Sequence, residues 1–167
     1  MEMARRRTTN ERERENGSLV SSLHLILGEI VFLLGLMGVA VYAVINVLSP
    51  VLRNVFEVSV YQAKWALGAV IFLGLSGLFF QFGAFMKQTK RFSFTFYSFA
   101  TCNAGASLLI QLVKILRSGF EWIGVEFLSD QPFAHDSIFI TMGMVSLVFT
   151  SLFFLYSAIV LWKETKD

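Results

Sequence analysis

The chain holds one cysteine, Cys102, in 167 residues. One thiol cannot close an intramolecular disulfide, and one thiolate cannot hold a zinc ion or an iron–sulfur cluster. Cys102 lies within an apolar run and reads as a small packing residue. Histidine is nearly as scarce, with only His24 and His135. They fall at opposite ends of the hydropathy pattern, about a bilayer apart, so each reads as a solvated interfacial side chain and not as half of a metal or haem site. Charged residues make up 16% of the chain, against about 25% in an ordinary soluble domain. A net charge of +2 is too small to mark a nucleic-acid surface. Paired-histidine zinc motifs, Cys-x-x-Cys, glycine-rich phosphate loops and Gly-x-Ser-x-Gly elbows are all missing. The sequence therefore assigns no catalytic residue, metal ligand or cofactor, and the chain reads as a non-enzyme.

What the chain has in quantity is hydrocarbon. Hydrophobic residues are 55% of it, and phenylalanine occurs 18 times. They gather in four runs, Leu23–Leu48, Trp65–Met86, Phe94–Leu116 and Ser137–Trp162. About 20 apolar residues carry a helix across a bilayer core of about 30 Å, and each run is long enough. The expected fold is an all-α membrane protein, with four transmembrane helices in a bundle and a short interfacial amphipathic helix between helices 3 and 4. Residues 1–18 read as a disordered, mixed-charge tail, and residues 19–167 as the four-helix domain. Arg5-Arg6-Arg7 precedes the first run, but that run far exceeds the roughly 7–15 residues of a signal sequence. Glu2, Glu11, Glu13 and Glu15 do not suit a mitochondrial presequence, which is poor in acids.

Basic residues set the expected orientation. Most of the 14 Lys and Arg residues lie in the N-terminal tail, in the connector with Lys87, Lys90 and Arg91, and in the C-terminal tail with Lys163 and Lys166. Short basic loops stay cytoplasmic, which places both termini and the second connector there. Asn16-Gly17-Ser18 fits a glycosylation sequon but falls on the wrong side for it.

The connectors are unusually apolar. Ser49-Pro50 reads as a helix stop. In Val51–Lys64, Phe56, Val58 and Val60 alternate with polar residues, while Leu52, Val55 and Phe56 also fit a helical turn. Phe120, Ile123, Gly124, Phe127 and Leu128 follow a helical stripe that omits Glu121 and Glu126. That is the pattern of an amphipathic helix lying in the interface, with Trp122 at headgroup level. Asp136 or Ser137 is placed to cap the last span.

Small residues mark where helices meet in lipid. The candidates are Gly35 and Gly38 in span one, Gly74 and Gly77 in span two, and Ala100, Ala104 and Gly105 in span three. Span three has the most small residues and is expected at the centre. Phe154 reads as lipid-facing.

Polar residues inside spans are costly and are candidates for function. Glu29 is the one acid deep in a span, and Gln81, Tyr97, Ser98 and Tyr156 fall in the same inner layer. Glu29, Gln81, Asn103 and Tyr156 are the candidate intramembrane polar site. It reads either as a proton, cation or ligand site or, more plainly, as interhelical contacts. Lys114 is expected to snorkel to the outer headgroups.

Three functions follow. The leading one is a non-catalytic accessory subunit, or an assembly or stabilising factor, of a larger membrane complex, with membrane lipids and other integral membrane subunits as partners. The second is an oligomeric channel or transporter subunit with a polar path near Glu29, Gln81, Asn103 and Gln111, for which a homo-oligomer is required. The third is a membrane-embedded lipid or quinone enzyme using Glu29.

Overall fold

The computed structural model describes residues 2–56, 63–87, 89–128 and 132–166. Five helices follow in order: α1 (Glu2–Phe56), α2 (Lys64–Phe85), α3 (Lys90–Ser118), α4 (Trp122–Leu128) and α5 (Ser137–Lys166), with a 3₁₀ turn at Pro132–His135 before α5. There is no strand among the described residues. α1 (from Leu19), α2, α3 and α5 are each long and apolar enough to cross a membrane. In hydrocarbon a helix satisfies its backbone polar groups within its own segment, so runs of this composition have little alternative. The protein is a multi-pass integral membrane protein of the all-α bundle class.

α1 differs from expectation at both ends. It begins at Glu2, so the backbone of the expected disordered tail is helical. Arg and Glu are good helix formers, and they extend a helix that the apolar span has already nucleated. Pro50 lies inside α1 instead of ending it. A proline removes one rung of the helical ladder, and spanning helices tolerate this where neighbouring groups take up the freed carbonyl. The alternating stretch beyond Phe56, up to residue 62, lies outside the described residues.

α1 packs on α2, α2 on α3, and α3 on α5, while α4 folds back against α2, α3 and α5. A tight turn joins α2 to α3, with the Met86 amide donating to Phe82 and the Thr89 amide to Met86. α3 ends at Gly119, whose φ of 74° lies in the left-handed region. Only glycine enters that region without strain, and the Gly119 amide donates to the Ile115 carbonyl at 2.8 Å to finish the helix.

The central helix is α2, not α3. In its most apolar stretch 44% of residues are buried, against 22% in α3. α1 meets α2 along one seam, His24, Gly28, Val31, Gly35 and Gly38, at alternating steps of four and three. Such spacing keeps one face of a helix against its neighbour. A Cβ on Gly35 would collide with the Gly74 backbone, and one on Gly77 with the backbone of Phe32. α2 and α3 are joined by two hydroxyls: Ser76 donates to the Ala100 carbonyl at 2.7 Å, and Ser107 to the Ala69 carbonyl at 2.8 Å. Ala100 and Ala104 are fully buried. Phe154 is half-buried, because its ring edge rests 3.2 Å from where a Cβ on Gly105 would stand. Cys102, by contrast, faces outward.

Candidate functional site

The four residues expected to form a polar site do not converge. Glu29 is exposed on α1 and has no hydrogen bond or ion pair with another described residue. The reason is its place beside Gly28. That glycine faces α2, and one residue further turns about a quarter of the way around the helix. Gln81 is half-buried on α2, its Cγ beside Gly28. Asn103 folds back on its own helix and donates to the Phe99 carbonyl at 2.8 Å. Tyr156 is half-buried in a different group, 5.8 Å from the His24 ring and 5.9 Å from Phe80.

That group fills the end of the bundle where α2 turns into α3. His24 is not solvated as expected. It is buried, its Nδ1 lies 3.3 Å from the Tyr97 hydroxyl, and its ring meets Phe80 edge-on at 5.4 Å. The four-residue step from His24 to Gly28 was the sequence signal, since it puts the imidazole on the seam facing α2. Phe80, Tyr97, Phe153 and Val31 continue the same apolar cluster.

A second polar group links three helices nearer α4. The Gln111 side chain is buried, its Nε2 donating to Thr150 Oγ1 at 2.8 Å and its Oε1 accepting from Ser146 at 3.1 Å. Ser107 lies one turn before it on α3 and bonds α2. α2, α3 and α5 are thereby pinned in one register.

α4 is held in place by charge as well as by apolar contact. Lys114 of α3 pairs with Glu126 of α4, and both side chains are largely buried. Lys114 therefore does not snorkel; its ammonium also lies 5.3 Å from the centre of the Trp65 ring. The second Glu126 oxygen accepts from the Trp65 amide at 3.3 Å, near the start of α2. Nearby, His135 Nδ1 lies 3.0 Å from Glu121 Oε1. Ile123 and Phe127 pack against Ala63, Ala66 and Trp122, while Phe120 stays exposed in the preceding turn. Trp122, expected at headgroup level, is only 2% exposed, and its Nε1 has no hydrogen-bond partner among the described residues.

Beneath α4 lies a cavity of about 570 Å³. Its wall includes Leu34 of α1, Leu73 of α2, Gln111 of α3, Trp122 of α4 and Val145 of α5. Almost all of that lining is hydrocarbon. Sequence reasoning missed this space, because its walls come from five helices whose mutual rotation no single run of residues reveals.

No protein-family model, curated protein or solved structure matches the chain.

Proposed function

We propose that this protein is a non-catalytic subunit, or an assembly and stabilising factor, of a larger integral membrane complex, and that α1 is the helix it offers to that complex. The observation carrying this reading is Glu29. It stands ten residues beyond Leu19, about 15 Å along the helix at 1.5 Å per residue, on a face no other described element covers. A carboxyl group facing hydrocarbon is costly, and such groups usually face a protein partner or a water-filled path. α1 is also the least covered span, with 11% of its apolar stretch buried. Ile26, Ile30 and Leu33 stand exposed around Glu29. A neighbouring membrane helix presenting a hydroxyl, an amide or a cation would answer both the charge and the apolar surface.

In this reading both termini and the α2–α3 turn face the cytoplasm, since Lys87, Lys90, Arg91, Lys163 and Lys166 gather at that end. Bilayer lipid covers the remaining outer faces. The competing reading is a channel built from several copies that meet around Glu29. Gln111, which would line that path, is occupied inside the bundle by Thr150 and Ser146.

Purification in mild detergent, followed by native mass measurement, separates the two. The accessory reading expects a stoichiometric complex with other polypeptides. It expects Glu29→Gln to keep that complex, because the amide still bonds, and Glu29→Leu to release it. A homo-oligomer whose ion flux in vesicles is abolished by Glu29→Gln overturns the proposal.

A further inference from the structure

The pole of the bundle at the α2–α3 turn brings cations from separate elements to one level. Phe80 of α2 meets Tyr97 of α3 and Tyr156 of α5, with ring centroids 5.1 Å and 5.9 Å away. Lys87 follows Phe80 by seven residues, Lys90 precedes Tyr97 by seven, and Lys163 follows Tyr156 by seven. Along α3 and α5 seven residues are two turns, about 10 Å at 1.5 Å per residue. Lys87 lies in the turn just past the end of α2. The ring cluster that sets the depth of three helices therefore sets the depth of these cations as well. Lys87 and Lys163 both act electrostatically on the His24 ring, so two elements bring positive charge within range of one point.

The charge at this pole is not balanced. The turn and the end of α5 carry Lys87, Lys90, Arg91, Lys163 and Lys166 against Glu164 and Asp167. Lys87, Arg91 and Lys163 are exposed and form no ion pair with another described residue. The other pole differs: Lys114 is paired with Glu126, and Arg117 shares that end with Glu121 and Asp136.

Apolar surface stands directly beside these cations. Phe85 and Phe92, two residues from Lys87 and Lys90, are 72% and 61% exposed. Trp162, next to Lys163, is 63% exposed, and the Lys166 ammonium lies 4.8 Å from its ring centre. A soluble anion would meet the cations and leave these rings uncovered. A phospholipid answers both, with phosphate at the cations and chains along the rings.

We propose that this pole is a binding surface for anionic phospholipid, with Lys87, Arg91 and Lys163 meeting headgroup oxygens and Phe85, Phe92 and Trp162 covered by the chains of the same lipids. The Arg91 guanidinium suits the task, since its planar fork matches two phosphate oxygens at once. Each cation held near an anionic lipid surface contributes about fivefold in affinity. A purely topogenic role needs basic residues in the sequence, but neither their common level nor the flanking rings.

The test offers the purified full chain, in detergent, an equimolar mixture of dioleoyl phosphatidylglycerol and dioleoyl phosphatidylcholine. Native mass measurement then counts each lipid retained. Phosphatidylglycerol is expected to be preferred by on the order of tenfold, and the preference is expected to fall as salt is raised. Lys87→Gln with Lys163→Gln is expected to bring the ratio close to one. Lys87→Arg with Lys163→Arg keeps both charges and is expected to keep the preference. Lys64→Gln with Arg117→Gln removes two exposed cations from the other pole and is expected to change nothing. Millimolar inorganic phosphate is expected to leave the bound lipid in place. Equal retention of the two lipids by the unaltered chain overturns the proposal, and this readout needs no variant to fold. Equal losses in the two Gln pairs, or displacement by inorganic phosphate, overturn it too. Every readout uses the isolated chain, so none depends on the accessory role or on which way the protein faces.

Discussion

Gly35 of α1 lies directly on Gly74 of α2, so that a Cβ built on Gly74 would stand 3.3 Å from the Gly35 Cα. The contact is backbone to backbone. Helices in lipid gain little from hiding apolar side chains, which hydrocarbon solvates equally well, and must gain from close van der Waals approach instead. That makes the Gly35–Gly74 crossing the place where α1, the least covered span, is held to the bundle.

A single methyl group should therefore have opposite effects at two glycines. At Gly35 it meets the Gly74 backbone, which cannot move aside, and overpacking of this kind costs about 1–3 kcal/mol. At Gly68 a Cβ meets only the Ile110 Cδ1 at 3.5 Å, an ordinary contact. There the gain in helix propensity from Gly to Ala, up to about 1 kcal/mol, goes unopposed. Thermal unfolding in detergent should show Gly35→Ala lowering the midpoint and Gly68→Ala leaving or raising it. Equal shifts at the two sites would contradict the close crossing.

The Lys114–Glu126 pair should behave as a buried pair and not as a surface one. Both side chains are largely out of solvent. Removing one partner leaves the other charge unanswered, a change that costs about 3–5 kcal/mol in buried pairs, whereas removing both is far milder. Lys114→Met and Glu126→Gln should each destabilise α4 strongly. The double variant should lie well below the sum of the two. Hydrogen exchange over Trp122–Leu128 is the direct readout, and additive effects would mean that the pair is not coupled.

How much of this was legible in the sequence depends on the range of the signal. The spans were readable because a bilayer imposes one length on every crossing, and the four runs fit it. α4 was readable from the stripe Ile123, Gly124 and Phe127. The small residues Gly35, Gly74, Gly77, Ala100 and Ala104 marked real contacts. Which helix is central was misread, because α3 has more small residues while α2 buries twice the share of its apolar stretch between α1 and α3. Glu29, Gln81, Asn103 and Tyr156 share a rough depth, yet depth along the normal says nothing about rotation around each helix. His24 and Glu29 show this most plainly: the first lies on the glycine seam and is buried, and the second lies one step off it and is exposed. Lys114 was read as a lone cation because its partner, Glu126, lies on a separate helix.

The Gln111 cluster should be a stabilising hub of moderate strength. Hydrogen bonds between spanning helices contribute about 0.6 kcal/mol on average and up to about 1.7. Gln111 bonds both Thr150 and Ser146. Gln111→Leu should cost more than either Thr150→Val or Ser146→Ala. A double-mutant cycle between Gln111 and Thr150 should give a coupling in that range. A coupling of zero would mean that Gln111 is held by packing alone.

The two ends of the bundle should label from opposite sides of the membrane. Lys87 is exposed in the α2–α3 turn, and His135 is exposed beside Glu121 at the α4 end. The bundle fixes them at opposite poles, and the orientation proposed from the basic residues around Lys87 puts that pole in the cytoplasm. Cys102 faces outward and would itself react with membrane-permeant reagents, so the experiment begins from Cys102→Ser. In that background, Lys87→Cys should resist an impermeant maleimide added outside intact cells and react once the membrane is opened. His135→Cys should react without opening. The reverse pattern would invert the protein in its membrane while leaving the bundle intact. Labelling of both positions from one side would contradict the four crossings themselves.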